Sequence, residues 1–214
     1  MSRTEAPGAA ADPIAATQDT YARIAAAYAD HWDGTAPAWT AQAAERLAAE
    51  LPPGALVGDI GCGPGNDTVR LRQLGLRAHG FDLSHAMLTA RHVPGQVRAD
   101  LRALPLPDAV LDGVWCVAVL LHIPRDLVPG ALAELRRVLK PGGSGVIAIA
   151  EGEGEAWERF PHQQGPHDRY YVYHPAERFA ELVTAAGLQI RDTVRHRSHR
   201  DWLSLHVRRD PGVH

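Results

Sequence analysis

GDIGCGPGNDT, residues 58–68, lies between a short apolar run, ALVGDI (55–60), and a stretch with helical spacing, NDTVRLRQLG (66–75). Gly61, Gly63 and Gly65 alternate with other residues directly behind Asp59. A strand, a glycine turn and a helix N-terminus in that order bring a ligand onto backbone N–H groups, because no side chain stands where the chain must come close. A nucleotide-like cofactor follows, and two classes compete for the turn. One is a dinucleotide with its pyrophosphate on the helix; the other is an adenosyl compound without phosphate. A carboxylate at Asp59 would repel a pyrophosphate and would favour the positive charges of an ammonium and a sulfonium.

On both sides of this turn the periodicity alternates between strand and helix. Strand-like runs fall at 55–60, 77–82, 95–100, 111–119 and 145–150, and helical patterns at 66–75, 84–92, 125–140 and 175–187. Ser84 occupies an N-cap position, and Pro141-Gly142-Gly143 ends the helix before the fifth strand. The run LDGVWCVAV (111–119) is the most apolar and is expected at the centre of the sheet. Two further strands, LQIRDTVRH (188–196) and DWLSLHVRR (201–209), are joined by a short link and predict an antiparallel hairpin. The expected fold class is α/β: a Rossmann-like, doubly wound, seven-stranded sheet, mostly parallel, closed by that hairpin.

Residues 1–16 are rich in Ala, Pro and Gly and are expected to form a flexible arm. Residues 17–214 then form a single domain. It carries an N-terminal helical cap (17–51), with helices from Thr17 to about Gly34 and from Trp39 to Leu51, and a lid insertion (151–174). The lid, EGEGEAWERFPHQQGPHDRYYVYH, is rich in Gly, His and aromatics and shows no clear period. Long irregular segments within a domain commonly bind ligands.

Composition narrows the partners. The chain has 214 residues and a formal charge of −3, and its 22 basic residues include a single lysine, Lys140, so no basic stripe for nucleic acid is expected. Cys62 and Cys116 form neither a disulfide framework nor metal-ligand spacing. The first residues lack an apolar signal core, and the longest apolar run, VWCVAVLL (114–121), is too short to span a bilayer. The expectation is a cytoplasmic protein with no membrane or nucleic-acid partner and an oligomeric state left open between monomer and homodimer.

Five segments in order, VGDIGCGPG, GFDLS, ADLRALPLPD, LDGVWCVAVLLHI and LKPGG, resemble the motifs of class I S-adenosylmethionine-dependent methyltransferases, most of all the small-molecule type 11 group. The resemblance covers residues 17 to 207 and implies S-adenosyl-L-methionine as methyl donor, with S-adenosyl-L-homocysteine as product. It implies that Asp59 organises the turn, that Gly61 offers a carbonyl to the cofactor ammonium, and that Gly63 and Gly65 permit close approach. It further places Asp82 on the ribose hydroxyls, Leu83 on the adenine, Asp100 and the Leu101 N–H at the adenine edge, and Cys116 beside the methionine portion through its backbone. Each has a plainer alternative: Asp82 as a helix cap, Asp100 as a turn former, Cys116 as a small buried hydrophobe.

His122 follows the fourth strand, where open parallel sheets put their ligands, and is a candidate general base or an orienting group. Tyr21 and Tyr28 lie on the N-terminal helix, which in similar enzymes closes over the cofactor, and an aromatic face suits a sulfonium; they could equally form the helix's buried stripe. His31 and Trp32 could line an acceptor pocket. In the lid, His162 and His167 join them, Arg169 could hold a carboxylate, and Tyr170 and Tyr171 could wall an aromatic acceptor. Tyr171 and Tyr173 share a strand face while Tyr170 points away. A metal site built from His162, His167, Asp168 and His174 lacks any paired short spacing, so no metal is expected. The run after strand four reads CVAVLLHI, without the Asn/Asp-Pro-Pro-Tyr/Phe run of enzymes that methylate amino groups of bases or glutamine. The expected reaction is in-line methyl transfer to an O- or N-nucleophile of a small molecule, a specialised metabolite, with C-methylation still open. The alternatives are an NAD-dependent oxidoreductase on a Rossmann-like fold and a non-catalytic adenosylmethionine-binding protein.

Overall fold

A computed structural model describes residues 3–4, 12–32, 37–159 and 168–212. In chain order its elements are β1 (Arg3–Thr4), α1 (Pro13–His31), α2 (Ala38–Glu50), β2 (Leu56–Ile60), α3 (Asn66–Gln73), β3 (Arg77–Asp82), α4 (His85–Thr89) and β4 (Gln96–Arg98). There follow β5 (Leu111–Val117), a short 3-10 turn (Leu120–His122), α5 (Val128–Val138), β6 (Leu139–Ala150), β7 (Glu155–Arg159), β8 (Asp168–Val172), α6 (Ala176–Ala185), β9 (Leu188–Arg197) and β10 (Asp201–Arg209).

The main sheet has seven strands in the order β4-β3-β2-β5-β6-β10-β9. Pairing is parallel from β4 to β6. It becomes antiparallel where β10 inserts between β6 and β9. This is the expected Rossmann-like sheet with its closing hairpin. From β2 the chain winds outward through β3 and β4, then returns to place β5 on the other side of β2. The order reverses there, and in open α/β sheets the crevice at the strands' C-terminal ends beside such a reversal takes the ligand.

Residues alternate faces along each central strand. Val57, Trp115 and Val146 pack with Ala44 and Leu47 of α2 and Leu71 of α3. Val114, Cys116, Ile147 and Leu205 point to the opposite face and pack with Leu132 and Leu135 of α5 and Phe179 and Val183 of α6. Helices therefore cover both faces of the sheet, and β5, buried along nearly its whole length, is central as its apolar sequence requires.

The N-terminal helix begins at Pro13 rather than Thr17. Asp12 caps it by accepting from the Ile14 N–H at 3.0 Å, and Pro13 stands at the first helical position, where its missing N–H costs nothing. The second departure is the segment after β6, which has a period after all: β7 and β8 pair antiparallel, and β1 adds to β7 to complete a three-stranded sheet. Their register places Trp157 opposite Tyr170 and Ala156 opposite Tyr171. Helix α1 lies along β8, where the Thr20 hydroxyl donates to the Asp168 carbonyl at 2.9 Å and the Tyr170 N–H donates to the Thr17 hydroxyl at 3.0 Å. The free side of β8 is thus tied to a helix.

No described helix is long and apolar enough to cross a membrane. Among the described residues no group of three His, Cys, Asp or Glu could hold a metal ion.

Candidate active site

Two adjoining cavities open at the carboxyl ends of β2, β3 and β5, under α1. Tyr21, Tyr28, Gly61, Gly63, Val117, Ala118 and His122 line both, and so mark the junction. The first cavity extends over Asp82, Leu83, Met87 and Asp100 to Arg102. The second extends past Trp32, Trp39 and Asp67 to Arg169, Tyr171, Arg200 and Trp202.

The glycine turn is left-handed at three places, Gly61 (φ +72), Gly63 (φ +54) and Gly65 (φ +93), a region that side-chain-bearing residues rarely adopt. A Cβ on Gly61 would stand 2.1 Å from a Val119 methyl. Gly61→Ala is therefore expected to destabilise the fold by about 2 kcal/mol through overpacking and positive-φ strain, a fall of about 4–8 °C in Tm by thermal denaturation. Gly65 serves α3 instead of the cavities. It is the helix's N-cap, and a Cβ there would meet Gln96 at 2.8 Å and Val93 at 3.0 Å.

Asp82 ends β3 and lines the first cavity. Its Oδ2 accepts from the Gly63 N–H and its Oδ1 from the Ser84 N–H, both at 2.8 Å, so one carboxylate spans the tips of β2 and β3. Burial raises its pKa while those two N–H groups oppose the rise. Leu83, Asp100 and Leu101 also line this cavity. Asp100 is gripped by Arg102, whose Nε and Nη2 reach the carboxylate at 3.0 and 2.6 Å, which holds its pKa below the usual carboxylate range.

Asp59 does not face either cavity. It is buried beneath the turn, where it accepts from the Thr68 hydroxyl at 2.5 Å, and desolvation pushes its pKa well up. The acidic group that faces the second cavity is Asp67 in the first turn of α3, held by Arg70 and by the Trp115 indole N–H at 3.0 Å. A carboxylate at that helix N-terminus takes the place where a pyrophosphate would bind, so the electrostatic argument drawn from Asp59 passes to Asp67. Cys116 lines neither cavity: its side chain is wholly buried in the core, while Val117 and Ala118 at the strand end line both. Cys62 is buried, and desolvation pushes its thiol pKa up, so it has no thiolate character.

At the junction a chain of hydrogen bonds fixes every proton. A carbonyl can only accept, so His122 Nδ1 donates to the Tyr170 carbonyl at 2.6 Å and its Nε2 is left as an acceptor. That Nε2 accepts a hydrogen bond from the Tyr21 hydroxyl at 2.9 Å, and Tyr21 in turn accepts from Arg169 Nη1 at 3.1 Å. Burial, with the charge of Arg169 adding to it, lowers the His122 pKa to about 3, and burial raises that of Tyr21 to about 12. Tyr28 stands edge-on to Tyr21 with ring centroids 5.6 Å apart. Ala118, which follows β5 and lines both cavities, has φ +61, a strained conformation for a residue with a side chain.

The remaining expected residues divide. Trp32, Arg169 and Tyr171 line the second cavity. His31 is exposed, edge-on to Trp32, and lines neither cavity. Tyr170 points away, packs on Trp157 and donates its hydroxyl to Glu155, so its tie to the site is its backbone carbonyl. His162 and His167 lie outside the described residues. Sequence reasoning passed over Trp39, Asp67, Arg200 and Trp202. Arg200 stands 3.3 Å from Glu158 and lies over the Tyr171 ring at 4.2 Å, yet it sits in a polar turn between β9 and β10 with no pattern around it.

A family model described as a methyltransferase domain matches residues 58–147. A protein of Encephalitozoon cuniculi, named as a candidate methyltransferase, is 30% identical over 155 residues, which cover 64% of this chain and 71% of that one. The 2-methyl-6-phytyl-1,4-hydroquinone methyltransferase of Synechocystis is 33% identical over 156 residues, 64% of this chain and 48% of its own. The fold matches the crystal structure of Burkholderia thailandensis 1,6-didemethyltoxoflavin-N1-methyltransferase, bound to 1,6-didemethyltoxoflavin and S-adenosylhomocysteine. The TM-score is 0.76 and the identity 24%, covering 97% of this chain and 94% of that one. This chain belongs to the class I S-adenosylmethionine-dependent methyltransferases, in their type 11 group. It spans about half the length of several of the curated relatives it matches.

Proposed function

We propose that this protein transfers a methyl group from S-adenosylmethionine to an oxygen or nitrogen nucleophile of a small molecule, a specialised metabolite. The observation that carries this is the junction: a cavity suited to a nucleoside and a cavity suited to an acceptor meet at Tyr21, Gly61, Ala118 and His122. The residues present fit the donor. Asp82 suits the ribose hydroxyls, Leu83 and Leu101 suit an adenine, Gly61 and Gly63 keep the cradle clear of side chains, and the rings of Tyr21 and Tyr28 suit a sulfonium. The donor, when bound, supplies an electrophilic methyl group.

The chain's own contribution is positioning. Holding two reactants in line is worth several kcal/mol, up to about 7–11 kcal/mol. His122 acts as an orienting group rather than a general base: its free nitrogen already holds the Tyr21 hydroxyl, and at a pKa of about 3 it binds protons weakly. No other side chain shared by the two cavities titrates near neutrality, which favours an acceptor that brings its own lone pair over a carbon acid that must first lose a proton. The hydroquinone in the Synechocystis relative's name supports a small acceptor.

Calorimetric titration with S-adenosylhomocysteine, followed by a mass-spectrometric screen for methylated products across phenols, amines and carboxylic acids, tests this reading. Binding together with a product 14 mass units heavier is expected. A nicotinamide cofactor copurifying with the protein would overturn it, and cofactor binding without any product would leave a binding protein.

A further inference from the structure

We propose that the second cavity selects an acceptor with a flat ring and an anionic handle, a carboxylate seated against Arg169 and Arg200, while the methyl group goes to a different atom of the same molecule. This rests on the methyltransferase reading and refines it by naming the substrate class.

Both arginines line the cavity, and both pack against one ring, Tyr171, with guanidinium carbons 5.6 and 4.2 Å from its centroid. The two cations are thereby held at fixed positions on one wall. Arg169 is held further by its bond to Tyr21 and Arg200 by Glu158, itself buried and bonded to the Tyr173 hydroxyl. A cation held in place attracts a carboxylate at small entropic cost. The other walls are flat: Trp39 and Trp202 lie 5.8 Å apart, and Trp32 packs against Tyr28. Indole faces matched to guanidinium forks suit an aromatic acid and are poorly suited to a cation.

The handle is not the methyl acceptor. In a methyl transfer the nucleophile forms the new O–C or N–C bond while the C–S bond breaks and its electron pair stays on sulfur. A carboxylate that attacked would lose its negative charge in the transition state, and two guanidinium groups would then stabilise the ground state more than the transition state. The same groups cost nothing when the anion they hold is a spectator. Arg169 bonds directly to Tyr21, which lines both cavities, so an acid seated on it is held beside the donor cavity.

The test uses 2-naphthoate, 2-naphthamide and 2-naphthylmethylamine as probes of equal shape, titrated calorimetrically into the full chain saturated with S-adenosylhomocysteine. Naphthoate is expected to bind at least ten-fold more tightly than the amide, with the amine weakest. Arg169→Gln is expected to cut the preference for naphthoate over the amide to within about three-fold. Because Arg200→Gln alone would strand Glu158, the paired Arg200→Gln/Glu158→Gln variant is used, with the same expected loss. Amide or amine binding as tight as naphthoate, a preference unchanged in both variants, or no binding by any probe up to its solubility overturns the proposal. Titration with S-adenosylhomocysteine alone, run first, reports on the cofactor reading separately: binding there with no anion preference removes only the handle, and no binding removes both.

Discussion

Replacing Asp82 by asparagine is expected to weaken S-adenosylhomocysteine binding by about 10- to 100-fold, since hydrogen bonds to a charged group contribute about 1.5–3 kcal/mol and 1.4 kcal/mol is a factor of ten. The carboxylate does two things at once. It accepts the Gly63 and Ser84 N–H groups at 2.8 Å each, and its remaining lone pairs face the first cavity. Asparagine keeps the size but presents an NH2 to one of those N–H donors, so one of the two backbone bonds becomes a donor–donor contact. The glycine turn loses a restraint and a ribose loses its acceptor. Calorimetry on the folded variant decides: affinity within three-fold of the parent would show that the ribose does not rest on Asp82.

Tyr21→Phe is expected to lower kcat about 10- to 100-fold while leaving S-adenosylhomocysteine affinity within about three-fold, because the ring is kept and the hydroxyl is taken up by His122 and Arg169 at the junction. Its loss leaves His122 Nε2 without the donor it now has, a cost of about 1–3 kcal/mol for a buried group. His122→Ala is expected to follow the same split, and rates at saturating acceptor give the readout. The pH dependence separates orienting from base catalysis. With a folded pKa of about 3 against 6.5, His122 stays neutral across the working range and adds no inflection to kcat between pH 5 and 8. The unfolded chain binds a proton below pH 6.5 that the folded chain refuses until about pH 3. The contribution to stability is therefore intact above pH 6.5 and is lost as pH falls toward 3. His122→Gln removes this acid sensitivity, which urea unfolding at pH 7 and pH 5 measures.

The sheet was readable because its strands are short, apolar and punctuated by glycine turns. Arg77–Asp82 came out to the residue, and Ser84 caps its helix as expected, accepting from the Met87 N–H. The start of α1 was obscured by the alanines around it, although Asp12-Pro13 is a capping signal. β7 and β8 were missed because Trp157, Tyr170 and Val172 form a small satellite core of their own, which composition does not reveal. In the site, motif position pointed to Asp82, Leu83 and Asp100, which line the first cavity, but gave no orientation. A one-residue step along a strand turns a side chain to the other face, which puts Cys116 in the core and Val117 at the cavity. Arg200 and Trp202 reach the second cavity only because β10 folds back beside β6. No local pattern records an encounter between residues that far apart in the chain.

Helix α1 roofs both cavities, with Gln18 bonded to the Leu83 carbonyl over the first and Tyr28 and Trp32 over the second. Because one helix bounds both spaces, a substitution that shifts α1 alters the two cavities together, whichever of them it touches.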